Sequence, residues 1–140
     1  MEELPRWPQG TPAVLCVSGP HAIPVSTVVR AGGDRILFAL GRRRETLRRL
    51  RQDPSAALCV LAEGAAFTAH GRARVVSEEL DAADTIVAVE LLVERVQDHL
   101  ADGRTDVMDG ARWRWIDEES AAKDPEIVAE LRRLGAQPAV

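Results

Sequence analysis

Six of the seventeen arginines in this 140-residue chain fall between Arg42 and Arg51. The first three, Arg42, Arg43 and Arg44, follow Gly41 directly, where the apolar run RILFAL gives way to a pattern with leucines three apart, Leu47 and Leu50. That change predicts a strand passing into a short surface helix with three guanidinium groups on its first turn. A first turn leaves backbone N–H groups unpaired and is the positive end of the helix dipole, so cations there need an anion or water to offset them. Two readings follow. The turn binds a phosphate, or it is a solvated basic face paired with Glu45 and nearby acids.

Other side chains with chemical potential are few. Cys16 and Cys59 each lie in an apolar run (AVLCV and ALCVL) and are expected to be small buried side chains with no disulfide or redox role. Neither they nor His21, His70 and His99 stand at metal-ligand spacing, which argues against a structural zinc and leaves no metal site to name. His70 falls on the polar face of an alternating run, where it suits either a pocket or a hydrogen-bonded structural role. His21, next to Pro20, is expected in an exposed loop. Trp113 and Trp115, two apart, share a face if their segment is extended, either for packing or for pocket contact. No Ser-His-Asp, paired-carboxylate or Cys-His pattern indicates hydrolysis, and no catalytic residue is assigned.

The elements that must position these groups are mostly strands. TPAVLCV suits a buried strand beginning after Pro12. Residues 22–31 form a β-branched run ending in Gly32-Gly33-Asp34, a hairpin signal with RILFAL as the returning strand. The basic helix runs over 42–52 and stops at Asp53-Pro54, because the residue before proline is pushed out of the α region. SAALCVLA is the next strand; residues 66–76 then alternate Phe67, Ala69, Gly71, Ala73 and Val75 against Thr68, His70, Arg72 and Arg74. Residues 86–96 fit both periods and are taken as a strand for their β-branched content. Arg112-Trp113-Arg114-Trp115 is expected as a short last strand or extended segment. A C-terminal helix follows, with Asp124 as N-cap, Pro125 first in the helix, Leu131 and Leu134 inward, and Gly135 closing it.

Length and a 46% hydrophobic content fit one compact domain over residues 1–140. A net charge of −4, acids concentrated over 77–110, and no aromatics interleaved with the helix arginines argue against nucleic acid as a partner. No run of eighteen apolar residues and no signal-like start is visible, so the expectation is a cytoplasmic protein with no membrane partner.

In order along the chain stand Pro20-His21-Ala22-Ile23-Pro24-Val25-Ser26, RILFAL ending at Gly41, Arg44-Glu45-Thr46-Leu47-Arg48-Arg49-Leu50-Arg51-Gln52-Asp53-Pro54, and Phe67-Thr68-Ala69-His70-Gly71-Arg72-Ala73. Together they resemble the pyridoxamine 5'-phosphate oxidase-like split-barrel superfamily, which contains flavin- and deazaflavin-dependent oxidoreductases and members with no known activity. That family typically shows Arg-x-Lys-x-x-Asn-Leu-x-x-Asp-Pro in the middle segment. Leu50 and Arg44 hold their places, while Thr46 stands for the lysine and Arg49 for the asparagine.

The resemblance implies a mainly β protein with α additions. Its core is an antiparallel split β-barrel of about six to seven strands, with a short basic helix and a C-terminal helix. It implies a homodimer with flavin mononucleotide (FMN) at the interface, acting as an oxidoreductase on an unidentified small-molecule substrate. Arg44 and Thr46 would hold the phosphate, with Arg42, Arg43 or Arg48 replacing the lysine. Val25, Ser26 and Thr27 would run beside the isoalloxazine and ribityl chain, with His70 and Trp113 near the ring. The alternatives are a reductase using the 8-hydroxy-5-deazaflavin coenzyme, a non-catalytic flavin- or haem-binding module, and no cofactor at all if Thr46 marks a lost site.

Overall fold

A computed structural model describes residues 3–137. Seven strands and two helices appear in the order β1 (Ala13–Val17), β2 (His21–Val25), β3 (Val28–Ala31), β4 (Arg35–Gly41), α1 (Glu45–Gln52), β5 (Ser55–Ala62), β6 (Ala65–Ser77), β7 (Ile86–Asp98) and α2 (Glu118–Ala136). One antiparallel sheet carries them in the order β2-β1-β5-β6-β7-β4-β3 and curls into a half-barrel, the expected architecture.

The run over 22–31 is two strands rather than one. β2 pairs with β1 at one edge of the sheet and β3 pairs with β4 at the other, so the chain changes edges at Ser26-Thr27. The Ala39 N–H donates to the Thr27 carbonyl at 3.3 Å, drawing this junction back toward β4. β-branched content favours strand but carries no mark of which neighbour a strand pairs with. The Gly32-Gly33-Asp34 turn joins β3 to β4 as expected, with Ala31 opposite Arg35.

Alternation turns Leu15, Phe38, Leu58, Phe67, Val89 and Leu91 into the barrel, where Leu47 and Leu50 of α1 join them. Cys16 and Cys59 have the opposite parity: Cys16 is exposed and Cys59 half-buried on the outward face, both as free thiols, which corrects their expected burial. β7 fits two periods because both its faces are covered. Val87, Val89 and Leu91 face the barrel, whereas Ala88 and Ile86 pack with Leu37, Leu80 and Leu131 beneath α2. Buried among these apolar residues, Glu90 accepts from Arg35 at 2.9 Å and Arg74 at 3.0 Å.

α2 begins before the expected Asp124. Its N-cap is Asp117, whose carboxylate accepts from the backbone N–H of Ser120 at 3.1 Å and its hydroxyl at 2.6 Å. Pro125 therefore lies inside the helix, and Asp124 accepts the Thr27 hydroxyl at 3.0 Å instead. Gly135 is also internal. A Cβ there would meet the Ala31 Cβ at 2.9 Å, so the glycine serves close packing rather than termination. Residues 99–117 form neither strand nor helix, so the Arg112–Trp115 stretch has no sheet partner among the described residues. Among those residues no helix is long and apolar enough to cross a membrane.

Candidate functional site

The arginines approach α1 from outside it. Arg42 and Arg43 occupy a turn after Gly41, and Arg44 is the N-cap with extended backbone (φ −65°, ψ 138°), so the expected placement on the first helical turn is shifted by one step. A guanidinium has donors and no acceptor, and Arg44 makes no side-chain cap bond. The first-turn N–H groups of α1 are thus left for water or an incoming anion.

Most of the surrounding cations are already paired. Arg42 bonds Glu79 at 3.0 Å and also donates to the Asp84 carbonyl. Arg48 and Arg49 both reach Glu45, at 3.2 and 3.1 Å. Arg51 grips both oxygens of Glu78 at 2.8 and 2.7 Å. The Arg49 hydrogen bond and charge hold the Glu45 carboxyl below its ordinary range, and the Arg51 hydrogen bond does the same to Glu78. Arg43 and Arg44 alone among these six make no side-chain hydrogen bond or ion pair to the described residues. With Arg42, Arg48, Arg51, Leu47 and the acid Glu45 they border an open hollow of about 610 Å³.

Thr46 does not line that hollow. It is 1% exposed, and its hydroxyl lies 3.0 Å from Nε2 of His21. His21, expected in a loop, is the first residue of β2 and half-buried; its Nδ1 is 4.0 Å from Glu45. The pairing was invisible in sequence because the two residues meet only through the docking of α1 on the β1–β2 hairpin. Gly19 makes that docking possible: it has φ +140°, and a Cβ there would lie 1.9 Å from Nη1 of Arg49, which donates to the Ser18 carbonyl.

The other expected site residues lie elsewhere in the chain. Val25 and Thr27 are buried, with the Thr27 hydroxyl given to Asp124, while Ser26 between them is half-buried. His70, on the outward face of β6, contacts Gln97 at 3.3 Å and borders a different hollow. Trp113 donates its indole N–H to the Gly10 carbonyl at 2.6 Å and packs edge-on against Trp115, with centroids 5.2 Å apart. Within one chain, then, the four arginines Arg42, Arg43, Arg44 and Arg48 converge, and the remaining candidates, Thr46 among them, occupy four separate places.

An unpaired arginine pair beside uncapped N–H donors fits a phosphate monoester: the donors are many, charged and oriented outward. A family model described as pyridoxamine 5'-phosphate oxidase matches residues 8–112. Similar solved structures include HupZ of Group A Streptococcus, with TM-score 0.55 and 11% identity over 72% of this chain and 90% of that one. A FAD-binding protein from Mesorhizobium loti follows at TM-score 0.53 and 13% identity, over 61% of this chain and 83% of that one. An F420 reductase gives TM-score 0.52 and 9% identity, over 64% and 90%. Identities this low speak for the fold alone. No curated protein matches the chain. With the family match spanning most of the barrel and these folds superposing on it, the chain belongs to the pyridoxamine 5'-phosphate oxidase family.

Proposed function

We propose that this protein is an FMN-binding oxidoreductase for a small-molecule substrate, working as a homodimer with the cofactor phosphate held by Arg43 and Arg44. The observation that carries this reading is the pair of free guanidinium groups beside the uncapped first turn of α1. Arg42 and Arg48 border the same hollow and join the phosphate only by leaving Glu79 and Glu45. Thr46 is a support rather than a ligand, since its hydroxyl is engaged by His21. Two arginines thus stand in for the family's lysine.

When bound, the flavin supplies the hydride chemistry, and the protein's share is anchoring and a dry ring pocket. His70 and Trp113 lie outside the arginine hollow of their own chain, so a second copy is what brings either against a ring anchored there. Val14 and Leu61, 42% and 50% exposed on the outward sheet face beside Cys16, offer apolar surface for that copy.

Titration with FMN, followed by flavin fluorescence, tests the anchor. Wild type binds, and Arg43→Ala or Arg44→Ala weakens binding by about tenfold or more, the worth of a charge-assisted phosphate contact. Equal affinity in both variants removes the anchor, and no binding removes the FMN reading. The deazaflavin coenzyme is the second reading, supported by the likeness to an F420 reductase, and the same titration with that coenzyme separates the two. A binding module without catalysis takes up flavin or haem yet turns over no nicotinamide.

A further inference from the structure

A second hollow, of about 460 Å³, opens on the outward face of the sheet where β5, β6 and β7 run together. A volume of that order is typical of small-ligand sites. Its floor is low because Ala57 of β5 and Gly71 of β6 carry little or no side chain there. The β6–β7 register slips at this point: His70 faces Arg95 and Gly71 faces Val93, so Glu94 is left without a partner. Only glycine fits at 71, since a Cβ would come within 1.9 Å of the Leu92 carbonyl oxygen. Bulges of this kind redirect side chains and recur beside functional sites. Here the bulge sets an acid and a guanidinium at one rim, on strand backbone rather than on a loop.

The charges at that rim are unused. Glu94 and Arg95 make no hydrogen bond or ion pair to the described residues. Asp53, on the opposite wall, accepts only the Ser55 N–H, at 3.1 Å. His70 has Gln97 as its neighbour at 3.3 Å. Both signs of charge therefore border one concavity without neutralising each other, unlike the Arg51–Glu78 and Arg42–Glu79 pairs nearby.

We propose that this hollow binds a small zwitterion of the amino-acid or short-peptide class. Its carboxylate sits on Arg95, its ammonium group on the carboxylates of Glu94 and Asp53, and a backbone amide reaches the His70 ring. This hollow shares His70 with the flavin reading, but neither Arg43 nor Arg44 borders it, so a variant that loses the flavin anchor keeps the charges of this hollow.

The test is an NMR titration of the His70 ring resonances in the purified protein with triglycine, N-acetyl-triglycine and triglycinamide. Triglycine shifts the ring saturably at millimolar concentration, while each blocked peptide, lacking one charge, binds about tenfold more weakly. Arg95→Ala abolishes the preference for a free carboxylate and Glu94→Gln the preference for a free ammonium, whereas Arg44→Ala changes neither. Equal shifts from all three peptides, an unchanged titration in Arg95→Ala, or no saturable shift by about 10 mM would overturn the proposal.

Discussion

The imidazole of His21 and the hydroxyl of Thr46, 25 residues apart in the chain, lie 3.0 Å from each other behind the first turn of α1. Thr46 is 1% exposed with that ring in place. Removing it by His21→Ala leaves a buried hydroxyl unpaired and lowers stability by about 1–3 kcal/mol. Urea unfolding of His21→Ala, Thr46→Val and the double variant checks this. The double variant should lose less than the two single losses combined, because the second change removes an orphaned group.

Arg44 occupies a cap position that arginine serves poorly. Arg44→Ser supplies the missing acceptor to the first-turn N–H groups and raises stability by about 1 kcal/mol. It also removes one of the two free guanidinium groups, so phosphate or FMN affinity falls in the same variant. Thermal unfolding and flavin titration moving in opposite directions would mark Arg44 as a residue kept for binding. Both moving down would count against it.

Gly135 tests which of two opposing effects wins. Glycine to alanine inside a helix ordinarily gains up to about 1 kcal/mol. Here the new methyl would meet Ala31 Cβ at 2.9 Å and Leu37 Cδ1 at 3.2 Å, both in the sheet beneath α2. Overpacking costs about 1–3 kcal/mol, so Gly135→Ala should be net destabilising in chemical denaturation.

Asp117 gives α2 a pH-dependent start. Its hydrogen bonds from Ser120 hold its carboxyl below the ordinary aspartate value. A depressed folded value means that the contribution is present above the unfolded carboxyl range and is lost as pH falls through the folded one. The protection of the Ser120 amide, its exchange rate measured against the intrinsic rate at the same pH, should therefore fall in acid in the wild type. In Asp117→Asn, where the cap cannot titrate, that dependence should vanish.

Glu90 is buried between Arg35 and Arg74, with side-chain exposure of 4% against 12% and 48%. Glu90→Ala strands the Arg35 charge under α2 and should cost about 3–5 kcal/mol. A loss below about 1 kcal/mol would mean that water reaches the pair.

Much of the architecture was legible because it depends on period and local composition. An apolar run located β5 and alternation located β6, each to within a residue, and Asp53-Pro54 ended α1 where its backbone rule requires. The misreadings share one cause. Asp124-Pro125 looks like a helix start, yet Asp117 caps about two turns earlier and Asp124 is claimed by Thr27 from across the fold. Cys16 looks buried by its apolar neighbours, yet strand parity points it outward.

The sequence by itself determined most of the strand positions, the family, and the stretch where positive charge gathers, all of which follow from neighbours along the chain. Only the tertiary structure decided which of those charges remain available. Glu79 and Glu78, 37 and 27 residues distant, neutralise Arg42 and Arg51, and β2 delivers His21 to Thr46. A guanidinium's charge is written in its residue type, but its freedom to bind depends on which carboxylates folding brings within hydrogen-bond reach. At the head of α1, folding left Arg43 and Arg44 without one among the described residues.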